Sequence, residues 1–358
     1  MPELPEVERA RRLAHEEAVG KTIAAVEVQE DNIVYVNVEA SDFAKRVQGK
    51  AVVDTGRHGK HFYLLLKDGP TILLHLGMTG NIRFEGKSCF QYRRGTEEQT
   101  VWPPKYWKFI ITFKDTGTGV IDNEGQTTCR MAFTDPRRLA RIRLVEDVLN
   151  EPPISKLGFD PILSMPSFEE FYMKLHKRSA PIKALLLDQE FSAGIGNYMA
   201  DEILYQGRIH PAQPSKTLTV DEIQDVTNFA VSVNADYQKF PTTWLFHYRW
   251  NKGKKKKVTT HDGNEIIYET VGGRTTAIVP AVQTLRTVTK VKNEKHSPQP
   301  AKKVNADGVV ASRPNLIRSP HKVEMEDKAV VAKRPPEAQI PSLDENGRLS
   351  LEAAKKVT

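Results

Sequence analysis

The first periodic stretch of the chain runs from Pro5 to Val19. Acidic residues come early, Pro5 suits a first helical turn and Gly20 can end the element, so the pattern predicts a helix. Short alternating or apolar runs follow at Thr22–Gln29, Ile33–Val38, His61–Leu66, Thr71–His75, Lys108–Phe113, Cys129–Phe133 and Leu139–Val145. Gly, Asp and Asn separate them, which predicts an antiparallel β-sandwich or barrel. The polar stretch Gly86–Pro104 reads as a long exposed loop. After Pro152-Pro153 the period becomes helical, at Ser167–His176, Pro181–Asp188, Asn197–Tyr205 and Val220–Asp236. Two final strands, Thr259–Thr270 and Arg274–Val279, flank Gly272-Gly273 and predict a hairpin.

Composition adds a third region. Every aromatic residue lies before position 281, and the remaining segment carries 15 Lys plus Arg, 9 Asp plus Glu and 7 Pro. Such a segment cannot bury enough apolar surface to offset its chain entropy and is expected to be a disordered tail. The expected architecture is therefore α+β: residues 1–150 as an amino-terminal helix and β-sandwich, 151–280 as a helical domain with a terminal hairpin, and 281–358 as the tail. Residues 1–280 keep 37 of the 52 basic and 36 of the 45 acidic side chains, so the formal +7 comes mostly from the tail. Net charge alone thus says little about nucleic acid; local clusters say more. Five arginines fall between Arg130 and Arg143, and the lysine run Lys252–Lys257 follows the aromatics Trp244, Phe246, Tyr248 and Trp250. Basic residues interleaved with aromatics suit a phosphate backbone with exposed bases.

Other classes are excluded early. No apolar run approaches the ~20 residues of a membrane span, and the start MPELPEVERARR is too polar for a signal peptide. Two cysteines, Cys89 and Cys129, can build neither a disulfide framework nor a four-ligand zinc site on their own. Neither metal nor cofactor is expected.

The amino terminus carries candidate chemistry. Removal of Met1 would leave Pro2 with a free secondary amine, and α-amino groups titrate close enough to neutrality to be partly unprotonated. A neutral amine can attack an electrophilic sugar carbon, and the iminium so formed is an electron sink for elimination. Glu3 could move protons beside it if burial raises its pKa, with Glu6 one helical turn on supporting the same pocket.

The full string Pro2-Glu3-Leu4-Pro5-Glu6-Val7-Glu8 resembles the formamidopyrimidine-DNA glycosylase family, relatives of endonuclease VIII. Further motifs extend the resemblance over residues 1–280. Arg57-His58-Gly59-Lys60 is similar to the segment holding the family's essential lysine, which implies that role for Lys60. His75-Leu76-Gly77-Met78-Thr79-Gly80 resembles the turn whose methionine fills the vacated base stack, implicating Met78. Asp135-Pro136-Arg137-Arg138 resembles a second intercalating loop, with Arg137 facing the orphaned base; Leu139 stands where the family commonly has Phe. Lys183 through Gln189, followed by Gly194-Ile195-Gly196-Asn197, resembles the family's helix–two-turns–helix. There Lys183 and Asn197 would contact phosphate at a helix amino terminus. Gly272-Gly273-Arg274 resembles the arginine turn of the zincless-finger branch of plants and fungi, with Arg274 clamping phosphates.

The resemblance implies a bifunctional DNA glycosylase and abasic-site lyase of base excision repair, acting as a monomer on damaged double-stranded DNA, without metal, in the nucleus. It would form a Schiff base at Pro2 and cut by β- and δ-elimination. Hydantoins and formamidopyrimidines are the expected lesions, with weaker action on 8-oxoguanine. Two alternatives stand beside this reading: a damaged-DNA-binding protein without catalysis, and an endonuclease VIII-like glycosylase for oxidised pyrimidines.

Overall fold

The computed structural model describes residues 2–88, 101–115, 129–231, 240–250, 252–253 and 257–286, with the backbone alone for 227–231. Most of the expected 86–104 loop, much of the lysine run and the segment from 287 onward lie outside the described residues.

Helix α1 (Leu4–Ala18) buries Leu4, Val7, Ala10, Ala14 and Ala18 along one face, while its charged residues, buried Glu6 excepted, line the other. Two antiparallel sheets follow. One has the order β1 (Lys21–Val28), β7 (Trp107–Asp115), β8 (Cys129–Thr134), β5 (Asn81–Phe84) and β6 (Lys87–Ser88). The other has the order β2 (Val52–His58), β3 (His61–Leu66), β4 (Thr71–His75) and β9 (Arg141–Val145). Inward side chains of both, among them Phe62, Leu64, Leu74, Phe109, Ile111 and Phe133, share one core with α1.

Four departures from the sequence pattern stand out. Ile33–Val38 is not a strand: the Asp31 carboxylate accepts from the amides of Ile33 (3.1 Å) and Val34 (3.3 Å), which turns the chain, and only Tyr35 bridges to Ile142. Residues Ala40–Val47 form helix α2, burying Ala40, Phe43 and Val47. Strand β2 is polar in sequence but is held by its backbone ladder to β3, interrupted only between Val52 and Asp54. The strand expected over Thr259–Thr270 is regular only at β10 (Ile267–Val271), which pairs with β11 (Arg274–Ile278).

The later helices are α3 (Phe168–His176), α4 (Ile182–Leu187), α5 (Asn197–Gln206) and α6 (Val220–Val231). They gather a second core around Phe171, Ile182, Leu186, Ile203 and Ile223. Leu4 belongs to this second core, whereas Val7 and the rest of α1 belong to the first. The amino terminus is thereby wedged between the two, and Leu4 donates its amide to the Gly194 carbonyl at 3.2 Å. A third cluster, with Leu245, Ile266, Ala277 and Val279 at its centre, packs the hairpin.

Register brings the sequence motifs to one end of the β2–β3–β4–β9 sheet. His61 pairs with His75, and His75 with Arg141. The Gly59-Lys60 turn, the Leu76–Thr79 turn and the 135–140 loop consequently lie side by side. No helix among the described residues is long and apolar enough to cross a membrane.

Candidate active site

A cavity of about 590 Å³ opens at this junction, and its lining includes Glu3, Lys60, Met78, Asn197, Trp250 and Arg274. Glu3 sits at its base, 2% exposed. Its carboxylate accepts from the backbone amides of Tyr198 (3.0 Å) and Met199 (3.1 Å), the second and third residues of α5. The helix amino terminus expected to receive a phosphate therefore holds a carboxylate of the chain itself, which satisfies two donors left open by the helix geometry. This is also why residue 196 is glycine: a Cβ there would stand 2.1 Å from Glu3 Cδ. Gln189 braces the loop before it, accepting from Gly194 N at 3.1 Å and donating to the Ile195 carbonyl at 2.9 Å.

Glu6 is the partner of Glu3. It accepts from the Glu3 amide at 2.8 Å and from the Tyr198 hydroxyl at 3.0 and 2.9 Å. That amide is the peptide joining Glu3 to Pro2, so Glu6 fixes the placement of the terminal residue. Burial pushes the Glu6 carboxyl up to about 7, and burial likewise raises Glu3 against the opposing pull of Lys60 and the two amides. Burial thus favours the protonated form of both carboxyls, the form in which a carboxyl can act as an acid. Pro2 is buried next to Glu3.

Lys60 lies across the cavity, its ammonium donating to the Ile195 carbonyl at 2.9 Å. Burial lowers its pKa, partly countered by Glu3. The turn that carries it is anchored by Asp160, fully buried, which accepts from Gly59 N at 2.8 Å and pairs with Arg57. Beside Lys60 the rings of His61 and His75 lie 4.7 Å apart. Burial lowers both pKa values, that of His75 to about 4, so both rings are neutral at physiological pH. Gly77 N donates to His75 Nδ1 at 3.2 Å, which leaves the ring proton on Nε2.

Met78 is half-buried in the turn after β4 and lines the cavity. Its turn is tied to the next loop by Thr79, whose hydroxyl donates to Asp135 at 3.0 Å. Asp135, fully buried, gathers the amides of Arg137 (3.1 Å), Leu139 (2.7 Å) and Ala140 (2.7 Å) around its carboxylate. The loop displays the Arg137 side chain to solvent, whereas Arg138 turns back onto Asp31 at 2.9 Å. Leu139 is also exposed.

Lys183 requires a correction. It is 0% exposed, with its ammonium on Asp201 and, at 2.7 Å, on the Thr276 hydroxyl. Arg249 bonds the other Asp201 oxygen, which also accepts from Ala277 N at 3.0 Å. Lys183 thus locks α4, α5 and β11 together and is not open to a phosphate. Asn197 is half-buried on the cavity wall and donates its amide to the Thr275 carbonyl at 2.8 Å, tying α5 to the hairpin. Gly272 and Gly273 adopt φ of +61° and +71° in a two-residue hairpin turn, the geometry that favours glycine. Arg274 follows at the tip, exposed and facing the cavity.

Several residues were not singled out from sequence: Asp160, Tyr198, Asp201 and Arg249. Each acts through a partner distant in the chain, and only the aromatic–basic stretch holding Arg249 left a trace in the sequence.

Comparison with known proteins gives a consistent result. Residues 1–142 match the formamidopyrimidine-DNA glycosylase N-terminal domain and residues 157–235 the H2TH domain of the same enzymes. A formamidopyrimidine-DNA glycosylase of Arabidopsis thaliana is 40% identical over 293 residues, spanning 80% of this chain and 71% of the relative. One from Pelotomaculum thermopropionicum is 30% identical over 309 residues, covering 80% of this chain and 100% of the relative. The Lactococcus lactis enzyme, solved non-covalently bound to DNA containing an abasic site, superposes with a TM-score of 0.61 at 24% identity over 79% of this chain, a likeness of fold.

Proposed function

Because the chain belongs to the formamidopyrimidine-DNA glycosylase family, we propose that its chemistry runs through Pro2 once Met1 is removed. The protein is a DNA glycosylase of base excision repair with abasic-site lyase activity, and its partner is damaged DNA. The observation that carries the residue assignment is the placement of Glu3. Its carboxyl is covalently next to Pro2, raised in pKa by burial, and clamped by α5 at the base of a cavity ringed by Lys60, Asn197 and Arg274.

In this reading the damaged nucleotide is extruded into the cavity, since its C1′ cannot be reached within the duplex. The Pro2 nitrogen adds its lone pair to C1′, the glycosidic bond breaks with its electron pair going to the base, and the departing base takes up the proton that the Pro2 nitrogen gives up. Glu3 gives its proton to the sugar ring oxygen as the ring opens, leaving an iminium between Pro2 and C1′. Loss of a C2′ proton then expels the 3′ phosphate, and a second elimination expels the 5′ phosphate. Water finally hydrolyses the imine and restores the amine. Lys60 and Arg274 hold phosphates flanking the extruded nucleotide, Arg274 on a finger that apolar packing stabilises where other members use zinc. Met78 and Arg137 occupy the emptied stack.

We expect hydantoins and formamidopyrimidines to be better substrates than 8-oxoguanine, the protein to act as a monomer, and its site of action to be the nucleus. Borohydride reduction with duplex DNA carrying one abasic site tests the assignment, comparing wild type with Pro2→Gly and verifying Met1 removal by intact mass. A covalent adduct, much diminished in the variant, is the expected result. No adduct despite a free Pro2 and tight binding would leave a damage-binding protein without catalysis.

A further inference from the structure

Trp250 has no part in the chemistry above, yet it stands on the wall of the same cavity as Glu3 and Lys60 with 57% of its surface exposed. Isolated exposed apolar side chains are common on protein surfaces and need no explanation. Trp250 differs because its ring is held from behind. The Arg249 guanidinium lies 4.7 Å from the ring centroid, and the Phe246 ring meets it edge-on at 5.7 Å and 86°. Tyr198 adds a third contact at 6.3 Å.

Each of these supports is itself anchored in the interior. Arg249 is paired with the fully buried Asp201. Phe246 donates its amide to Glu202 at 2.7 Å. The Tyr198 hydroxyl bonds to Glu6. The ring therefore has little freedom left to lose when something packs on it, while most of its surface remains open. A rigid aromatic plane facing an open cavity is the arrangement on which nucleobases stack.

We infer that Trp250 is the platform against which the base of the extruded nucleotide stacks, making it a specificity-determining residue for base excision. The inference rests on the glycosylase reading of the site. It assigns to Trp250 the base and neither the sugar nor the phosphates. Its removal should therefore impair the step that needs a base in the pocket more than the step that does not.

The test compares single-turnover excision of a formamidopyrimidine lesion with borohydride trapping on abasic DNA, for wild type, Trp250→Ala and Trp250→Phe. The ratio of excision to trapping should fall about tenfold in Trp250→Ala, within the range that loss of one stacking aromatic produces. Trp250→Phe should restore most of it. A parallel loss of both activities would mean a structural or backbone role and overturn the inference, as would an unchanged ratio. Failure of wild type to trap abasic DNA at all would instead remove the glycosylase assignment, and this inference with it. Tryptophan emission supplies a readout independent of turnover. Quenching on lesion-containing DNA, absent with abasic DNA and lost in Trp250→Phe, is the expected pattern; equal quenching by both DNAs would contradict base stacking.

Discussion

The most direct perturbation of the site is Gly196→Ala. Gly196 has φ −120° and ψ −164°, extended backbone that any residue adopts, so alanine introduces no strain in the chain itself. What it introduces is a Cβ 2.1 Å from Glu3 Cδ and 2.4 Å from Oε1. Ordinary contact begins at 3.4 Å. The carboxyl must therefore retreat by about 1.3 Å, and a misplacement of about 1 Å in a catalytic group costs on the order of 10²-fold in rate. Retreat also stretches the bonds from Tyr198 N and Met199 N, now 3.0 and 3.1 Å. Their weakening and the local overpacking should lower stability by about 1–3 kcal/mol. Single-turnover strand cleavage on abasic DNA measures the first effect and urea denaturation the second. The expected result is a loss of roughly 10²-fold in rate with a folded protein. Wild-type cleavage in a variant of wild-type stability would refute the reasoning, because Glu3 could not then be held against α5 as described.

Other consequences concern charge. Asp201→Asn leaves Lys183 and Arg249 buried without a counter-charge and should cost about 3–5 kcal/mol in urea denaturation. Lys183→Met, which leaves a neutral Asp201–Arg249 pair, should cost less. DNA binding separates the two cations assigned to phosphate by sequence: Arg274→Ala should flatten the salt dependence of affinity by about 0.9 in slope, one phosphate contact, and Lys183→Met should leave the slope unchanged. Glu6 has a folded pKa raised from 4.5 to about 7. The folded state keeps its proton where the unfolded chain has lost it, so stability falls as pH rises through that window. Glu6→Gln should reduce the stability difference between about pH 5 and about pH 8 by roughly 2–3 kcal/mol, and an undiminished difference would mean that Glu6 titrates normally.

Much of this molecule is determined by local sequence. The string from Pro2 to Glu8 places the carboxyls of Glu3 and Glu6 one helical turn apart, which is sufficient for Glu6 to hold the Glu3 amide. The periods of α1, α3 and α5 follow from side-chain spacing alone, and a two-glycine turn with Arg274 beyond it specifies a hairpin tip. Local signals failed where a distant partner outweighed them. Strand β2 is too polar to stand out as a strand in the sequence pattern, but β3 supplies its hydrogen bonds. The Ile33–Val38 run is apolar and reads as a strand, but Asp31 turns the backbone and is itself held by Lys108 and Arg138.

The site shows the same division. Which residue types gather near the cavity was legible from the ordered motifs, because most of them are short turns or helix ends with a recognisable local pattern. What each residue does there was decided by tertiary packing. A lysine before Asp188 is indistinguishable in sequence from a phosphate ligand until Asp201 meets it in the interior, 18 residues away. A glycine at the start of α5 suits an approaching phosphate equally well until α1 brings Glu3 across the gap between two cores. Burial and pairing depend on elements far apart in the chain, and they convert a candidate DNA contact into a structural ion pair and an expected anion site into the clamp on Glu3.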